Sequence, residues 1–337
     1  MENQTSGRGR RKTRDDGRMS TLERAKHKYV NKNFVRDVFG AVLKYMLLLG
    51  LTFLILYPLV IRVSSSFMST SDLVDPTVRF IPRHPTLFSY RTVISHTNYL
   101  TSLRNTALLS LIAGVLQMLV CTFIGYGLAR FNFKGKRIVF LLVIFTILVP
   151  PQTYMIALFL RLRFFDVYGL LSLLGIGPIN LLDTVWPVTI LSGTGFAFKN
   201  GLFIFMMRQY FKGMPDELEE AAYVDGAGVV RTFFTIMVPL AMSMMVTVMI
   251  LAFAWQWTDT FYTSLFFTRF NTLSNALLIG FDGIMIPGFV FGLQRGQPLH
   301  AAFSNAFSLL MILPLIGIYL VAQRSLVEGV ERAGIVG

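Results

Sequence analysis

Four stretches of this chain run for 23 to 27 positions without one Asp, Glu, Lys or Arg: residues 105–129, 138–160, 232–258 and 301–323. A helix needs roughly 20 apolar residues to cross the hydrocarbon core of a bilayer, so each stretch is long enough to span. A fifth run, 46–61, lies between Lys44 and Arg62 and gains the missing length when those side chains snorkel to the headgroups. A sixth, 184–207, reads as a span only with Lys199 accepted inside it and Gly193 and Gly195 close by. Backbone groups in lipid must be bonded within their own segment, and no alternating ten-residue pattern suggests a barrel. The expected fold is therefore all-α: a polytopic membrane protein with six transmembrane helices. Charged residues make up only 15% of the chain and mean hydropathy is +0.59, which argues against a soluble enzyme.

The net charge of +13 suggests nucleic acid until the basic residues are placed. Of the 31 Lys and Arg, 21 fall on one side of the six spans: in residues 1–44, 130–137, 208–231 and beyond 323. Nine lie on the other side, and Lys199 is left over. Cytoplasmic loops collect Lys and Arg, so both termini are expected in the cytoplasm. Three parts follow: a basic tail over 1–40, disordered at its start and without a signal-peptide core; a permeation domain over 41–323; and a cytoplasmic tail over 324–337. A basic tail ahead of a first span serves topology and anionic lipid, so no nucleic-acid partner is expected. The outer loops 64–103 and 259–300 are long enough to carry short elements of their own.

The chemistry-bearing residue types are sparse. Cys121 is the single cysteine, excludes a disulfide framework, and reads as packing. His27, His84, His96 and His300 show no ligand spacing, so they read as solvated loop residues and no metal site is expected. No nucleophile and base stand at credible spacing, so the chain is not expected to be an enzyme. Polar groups inside a span are functional candidates by default, which singles out Lys199, Asn200 and Gln256. Lys199 is either a structurally satisfied residue or a cation held for a functional role. The aromatics Trp255, Trp257, Phe261 and Tyr262 suit an interfacial belt, with stacking on a ligand as the alternative.

Residues 214–239, MPDELEEAAYVDGAGVVRTFFTIMVP, break the basic pattern of their side. Pro215 suits the first position of a helix, and Asp216, Glu217, Glu219 and Glu220 place negative charge at its positive end. Gly226 stands where that helix would close. The spacing predicts a short amphipathic helix over 214–226, with carboxylates toward the cytosol and Ala221 and Ala222 where another protein's surface approaches. By composition alone, an acidic loop balancing nearby lysines is an equal reading.

The order Glu220-Ala221-Ala222, three residues, Gly226, nine residues, Ile236, one residue, Val238, Pro239 resembles the E-A-A-x3-G-x9-I-x-L-P signature of ATP-binding-cassette importer permeases, with Val238 for the Leu. Gly125-Tyr126-Gly127-Leu128-Ala129-Arg130 is similar to that family's G-Y-A-L-A-R helix end. Pro150-Pro151-Gln152, Arg208-Gln209-Tyr210-Phe211 and the ending Gln323-Arg324-Ser325-Leu326-Val327-Glu328-Gly329 add to the likeness, which covers most of the chain from about residue 40. It points to the maltose-type, carbohydrate-uptake branch and its second permease. Two departures stand out: Ile335-Val336-Gly337 closes the chain without the family's lysine, and Trp257-Thr258-Asp259 replaces W-N-D.

The resemblance implies a type I importer permease in a bacterial or archaeal plasma (inner) membrane. It would form a heterodimer with a homologous permease and work with two ATPase subunits and an extracytoplasmic solute-binding protein. ATP and Mg²⁺ would belong to those ATPase subunits, because this chain has no G-x4-G-K-[ST] and is expected to bind no cofactor. Contact with the ATPase would fall to Glu219, Glu220, Ala221, Ala222, Asp225 and Gly226, with Ile236 and Pro239 completing the motif. The translocation path would be sought at Lys199, Asn200, Trp255, Gln256 and Asp259, where a Lys199 facing the path would be counter-ion to a cargo bearing carboxylates, such as a uronate oligosaccharide, and the aromatics would stack on sugar rings. Binding-protein contact would be sought at Asp282, Gly283 and Gly288. The competing class is a stand-alone secondary transporter, which would need its own ion-coupling groups.

Overall fold

The computed structural model describes residues 32–282, 284 and 293–334, and the side chains of 36–282, 284 and 293–323. The expected disordered start of the tail, His27, Gly283 and Gly288 lie outside the described residues. The chain forms two units, Met1–Ile61 and Arg62–Gly337. The described part of the first is helix α1, Lys32–Ser66, which runs on into the second. Up to Ile61 it exposes Leu47, Leu49, Phe53, Leu54 and Ile55 around its circumference. A helix apolar on all faces suits hydrocarbon rather than water.

In the second unit the helices follow as α2 (Thr70–Val74), α3 (Phe88–His96), α4 (Tyr99–Arg130), α5 (Lys136–Leu148), α6 (Met155–Arg163), α7 (Leu170–Leu173) and α8 (Trp186–Gly193). Then come α9 (Asn200–Lys212), α10 (Glu217–Val224), α11 (Val229–Thr232), α12 (Val238–Thr258), α13 (Phe261–Phe266), α14 (Leu273–Ile279) and α15 (Pro298–Gly334). Among the described residues the regular structure is helical, apart from one isolated bridge between Phe165 and Ile179. The expected outer loops do carry short helices, α2 and α3 in one and α13 and α14 in the other.

Among the described residues, four segments are long and apolar enough to cross a membrane: Arg36–Ser66, Tyr99–Arg130, Val229–Thr258 and Pro298–Gln323. The other two expected spans are not continuous helices. In 138–160, α5 stops at Leu148 with Val149 extended, and a 3-10 turn, Pro151–Thr153, leads into α6. Pro150 and Pro151 explain this, since proline drives its preceding residue out of the helical region and donates no N–H. In 184–207, α8 ends at Gly193, Gly195 has φ +81° and Lys199 φ +74°, and α9 starts only at Asn200. Lys199 is thus not an intrahelical residue.

Helix α4 is the axis of this unit, with α8, α9 and α12 packed along it. Close approach is permitted by small residues, as in membrane helix pairs generally. A Cβ on Gly125 would stand 2.6 Å from Met207 Cβ, and one on Gly114 would stand 3.1 Å from the Met249 carbonyl. Buried side chains at this seam include Cys121, Phe203, Met207, Phe211, Met237, Met244 and Val248, so Cys121 is a packing residue. A second cluster, with Val93, Trp257, Leu273, Phe281, Phe303 and Phe307, joins α3, α12, α14 and α15.

The belt reading of the aromatics is corrected for two of them. Trp257 is 2% exposed and its Nε1 donates to the Met311 carbonyl at 3.0 Å. Tyr262 is buried with its hydroxyl 3.0 Å from that of Tyr154. Both polar tips are spent inside the protein, so neither is offered to lipid headgroups.

Candidate functional site

The acidic segment folds into α10, two turns rather than the three predicted, and Pro215 precedes it instead of opening it. Gly226 takes φ +78° and its N–H reaches the Tyr223 carbonyl, while Ala227 N–H reaches that of Ala222 at 2.9 Å. This left-handed closure is what glycine supplies at a helix end. The two faces of α10 differ. Glu217, Glu220, Ala221, Val224 and Asp225 are exposed, whereas Glu219 and Ala222 are buried. Positions three apart share one face of a helix, so Glu219 and Ala222 are the inward stripe. The expectation that Glu219 and Ala222 face a partner is therefore corrected.

What Glu219 meets is the end of α4. Its Oε1 accepts a hydrogen bond from the Tyr126 hydroxyl at 2.6 Å, and its Oε2 lies 3.2 Å from Arg130 Nε. Arg130 also pairs through Nη1 with Asp216 and donates from Nη2 to the Met214 carbonyl at 2.8 Å. The Arg130 and Glu219 side chains are only about a tenth exposed, whereas Asp216 is largely in solvent. Tyr126 and Arg130 stand four apart in the G-Y-G-L-A-R segment and Asp216 and Glu219 three apart in the acidic segment, so each pair lies on one helix face. The two motifs noticed separately in the sequence thus meet in space. Ile236 packs into the core beneath them. Pro239, exposed near the start of α12, follows a π turn at Phe233–Met237, where the absent proline N–H relaxes the usual ladder.

The intramembrane candidates assemble around the break between α8 and α9. Thr194, Gly195, Phe196, Ala197, Phe198 and Lys199 all line one cavity of about 860 Å³, together with Tyr154, Arg161 and Tyr168. Non-helical backbone at membrane depth is tolerated where it lines such a cavity. Lys199 Nζ lies 4.4 Å from the centre of the Phe198 ring and 5.3 Å from that of Trp255, and no carboxylate pairs with it among the described residues. Arg161 is the other cation there and rests 4.4 Å over the Tyr168 ring.

Trp255, Gln256 and Asp259 line a smaller pocket of about 30 Å³ beyond the same break, sharing Leu191, Ala197 and Phe198 with the larger one. Asp259 caps α13, accepting from Thr263 N at 2.7 Å and Thr263 Oγ1 at 3.0 Å. Burial nonetheless pushes its carboxyl above the ordinary range, outweighing those donors. Asn200 is buried at the start of α9 and its side-chain amide has no hydrogen-bond partner among the described residues.

Two residues at this pocket were not singled out by sequence reasoning. Gln117 of α4 and Ser192 of α8 are buried, line the pocket, and leave Gln117 Oε1 and Ser192 Oγ without a partner among the described residues. The signal for Gln117 was present as a lone amide in the middle of an uncharged span; Ser192 gave none, because serine is common in such helices.

In the last outer loop, Asp282 is engaged inside the chain. Its Oδ2 accepts from Arg295 Nε at 2.8 Å and its Oδ1 lies 3.3 Å from His300 Nε2. His300 is mostly buried, which corrects its reading as a solvated residue, while His84 and His96 are exposed as expected.

Comparisons with known proteins agree on the class. The galactooligosaccharides transport system permease protein GanQ of Bacillus subtilis is 26% identical over 90% of this chain and 98% of its own length. The arabinooligosaccharides transport system permease protein AraQ of Halalkalibacterium halodurans is 27% identical, over 88% of this chain and 98% of its own. The maltodextrin transport system permease protein MdxG of Bacillus subtilis is 28% identical, over 87% and 95%. The fold matches a chain of a bacterial ABC transporter involved in the import of the acidic polysaccharide alginate, with a TM-score of 0.68, 22% identity, and coverage of 86% of this chain and 97% of that one. Residues 121–330, from the middle of α4 to near the end of α15, match the binding-protein-dependent transport system inner membrane component, and the chain belongs to that family.

Proposed function

We infer that this protein is the permease subunit of an ATP-binding-cassette importer for sugars or oligosaccharides, crossing the membrane six times with both termini cytoplasmic. It would pair with a homologous permease, two ATPase subunits and an extracytoplasmic binding protein. The observation that carries this reading is the two-faced helix α10: Glu219 and Ala222 hold it to the bundle while Glu217, Glu220, Ala221 and Val224 remain free for another surface. The names of the relatives support a carbohydrate cargo.

In this reading α10 seats in a cleft of an ATPase subunit, where Glu220 makes charge-assisted hydrogen bonds. Closure of the two ATPase subunits then shifts helices of the permease as rigid bodies. Glu220→Lys or Gly226→Asp is expected to abolish uptake while leaving membrane insertion intact, and full uptake by either variant would refute it.

The cargo is proposed to carry carboxylates, as uronates do. Among the described residues, Lys199 and Arg161 are the only charged ones lining the larger cavity, both are cations, and aromatic rings surround them. Its size falls within the roughly 300–1,000 Å³ of small-molecule sites. Lys199→Met should depress uptake of an acidic oligosaccharide far more than of a neutral one; equal loss, or none, rejects the assignment. A stand-alone secondary transporter would carry cargo in liposomes without ATP. Against it, the uncharged runs 105–129, 138–160, 232–258 and 301–323 hold no Asp, Glu or His to relay an ion.

A further inference from the structure

Helix α10 is joined to its neighbours by two short links, Gly213–Asp216 before it and Asp225–Gly228 after it, and both contain glycine. Links of this kind transmit a pull poorly, because glycine bends at little cost. The inward attachment of α10 is of a different nature. Arg130, at the last position of α4, gathers the Asp216 carboxylate, the Glu219 carboxylate and the Met214 carbonyl, and Tyr126 one turn earlier takes the other oxygen of Glu219. A guanidinium offers five donors in a rigid fork, so one side chain grips both ends of the segment 214–219 at once.

We propose that Arg130 and Glu219 are positioning residues that form a clamp delivering the movement of α10 into α4. The proposal rests on the reading of α10 as the ATPase-docking helix. The course of α4 gives the clamp its consequence. Its 32 residues include no proline and extend about 48 Å at 1.5 Å per residue. Beyond the clamp it passes Gly125 against Met207, then Gln117 at the small intramembrane pocket. At the far end Thr106 Oγ1 accepts from Leu273 N–H at 2.9 Å and Asn105 Nδ2 donates to the Asn271 carbonyl at 2.9 Å. A displacement entering at Arg130 is thereby carried along one unbroken rod, past the pocket, to the base of the last outer loop. The alternative route, through α11 and the π turn into α12, begins behind the glycines at 226 and 228.

The test uses the complete transporter, with its binding protein and ATPase subunits, in proteoliposomes. Three quantities are measured: retention of the ATPase subunits, ATP hydrolysed, and sugar accumulated per ATP. Arg130→Gln and the isosteric Glu219→Gln should retain the ATPase subunits and continue to hydrolyse ATP, while sugar moved per ATP falls about tenfold, the order of a lost coupling between two sites. The conservative Arg130→Lys keeps the positive charge but not the fork, and should retain a larger share of that ratio than Arg130→Gln does. Asp216→Asn removes an exposed partner that folding does not need, so it serves where the buried variants do not assemble, and it should lower the ratio about twofold. An unchanged ratio in Arg130→Gln or Asp216→Asn overturns the clamp, as does a fall in uptake matched by an equal fall in hydrolysis. If Glu220→Lys transports normally with its ATPase subunits bound, the docking reading falls first and the clamp with it.

Discussion

Replacing Gly125 by alanine tests whether α4 and α9 are as close as described. The added methyl would stand 2.6 Å from Met207 Cβ, 3.0 Å from Arg208 N and 3.1 Å from Met207 C. Carbon pairs are comfortable at about 3.5–4.0 Å, so relief requires a separation near 1 Å at this level. Two of the three neighbours are backbone atoms, and no rotamer change removes them; the helices themselves must part. Overpacking of this kind costs roughly 1–3 kcal/mol. Alanine returns about 1 kcal/mol through its better helix propensity, leaving a net loss of up to about 2 kcal/mol. Gly127, two residues on in the same helix, is the internal control. A Cβ there meets only Phe131 Cδ2 at 3.9 Å, so Gly127→Ala should be neutral or slightly stabilising. Unfolding of the purified protein in detergent, followed by helical circular dichroism against temperature, compares the two. Equal shifts for Gly125→Ala and Gly127→Ala would refute the close approach.

Two further outcomes are expected. Asp183 accepts from the N–H groups of Thr268 and Arg269 at 2.6 and 2.7 Å; burial alone would raise its carboxyl, but these donors and the Thr268 hydroxyl hold it below its ordinary value of 3.8. A depressed carboxyl stabilises the fold above the ordinary value and loses that contribution as pH falls through the lowered one, so amide exchange at Thr268 and Arg269, corrected for intrinsic rates, should accelerate below about pH 4 in the native chain and not in Asp183→Asn. Gln117→Leu removes a buried unpartnered oxygen and should stabilise the resting protein by about 1–3 kcal/mol while lowering uptake; unaltered transport would take Gln117 off the path.

How far the sequence could be read depends on whether the information is local. Uncharged runs mark α4, α12 and α15 because bilayer length is written in consecutive residues, and Pro150-Pro151 announces the interruption after α5. The break before Asn200 is harder to foresee. Gly193 and Gly195 hint at it, but a lysine at φ +74° is a conformation only tertiary packing enforces. Among the acidic residues, composition cannot separate Glu219 from Glu220. One turns inward because Tyr126 and Arg130 wait there, some 90 positions earlier in the chain. Trp257 likewise reads as an interfacial residue until Met311 supplies its acceptor. Local periodicity thus located the elements, while pairings between distant segments decided which polar groups stay available to a partner or a cargo.

The π turn at Phe233–Met237 bears on how the motif's spacing should be counted. A wide turn of this kind absorbs one surplus residue while the helix on either side keeps its orientation. Between Gly226 and Pro239 the chain therefore spends one more residue than an uninterrupted α-helix would need. Deleting a residue within 233–237 would close the turn to ordinary pitch and leave Gln256 and Trp257 facing as they do now. The same deletion inside α12 would swing every later side chain by about 100°. The stretch least tolerant of a changed residue type on paper is, for chain length, the most forgiving part of this span.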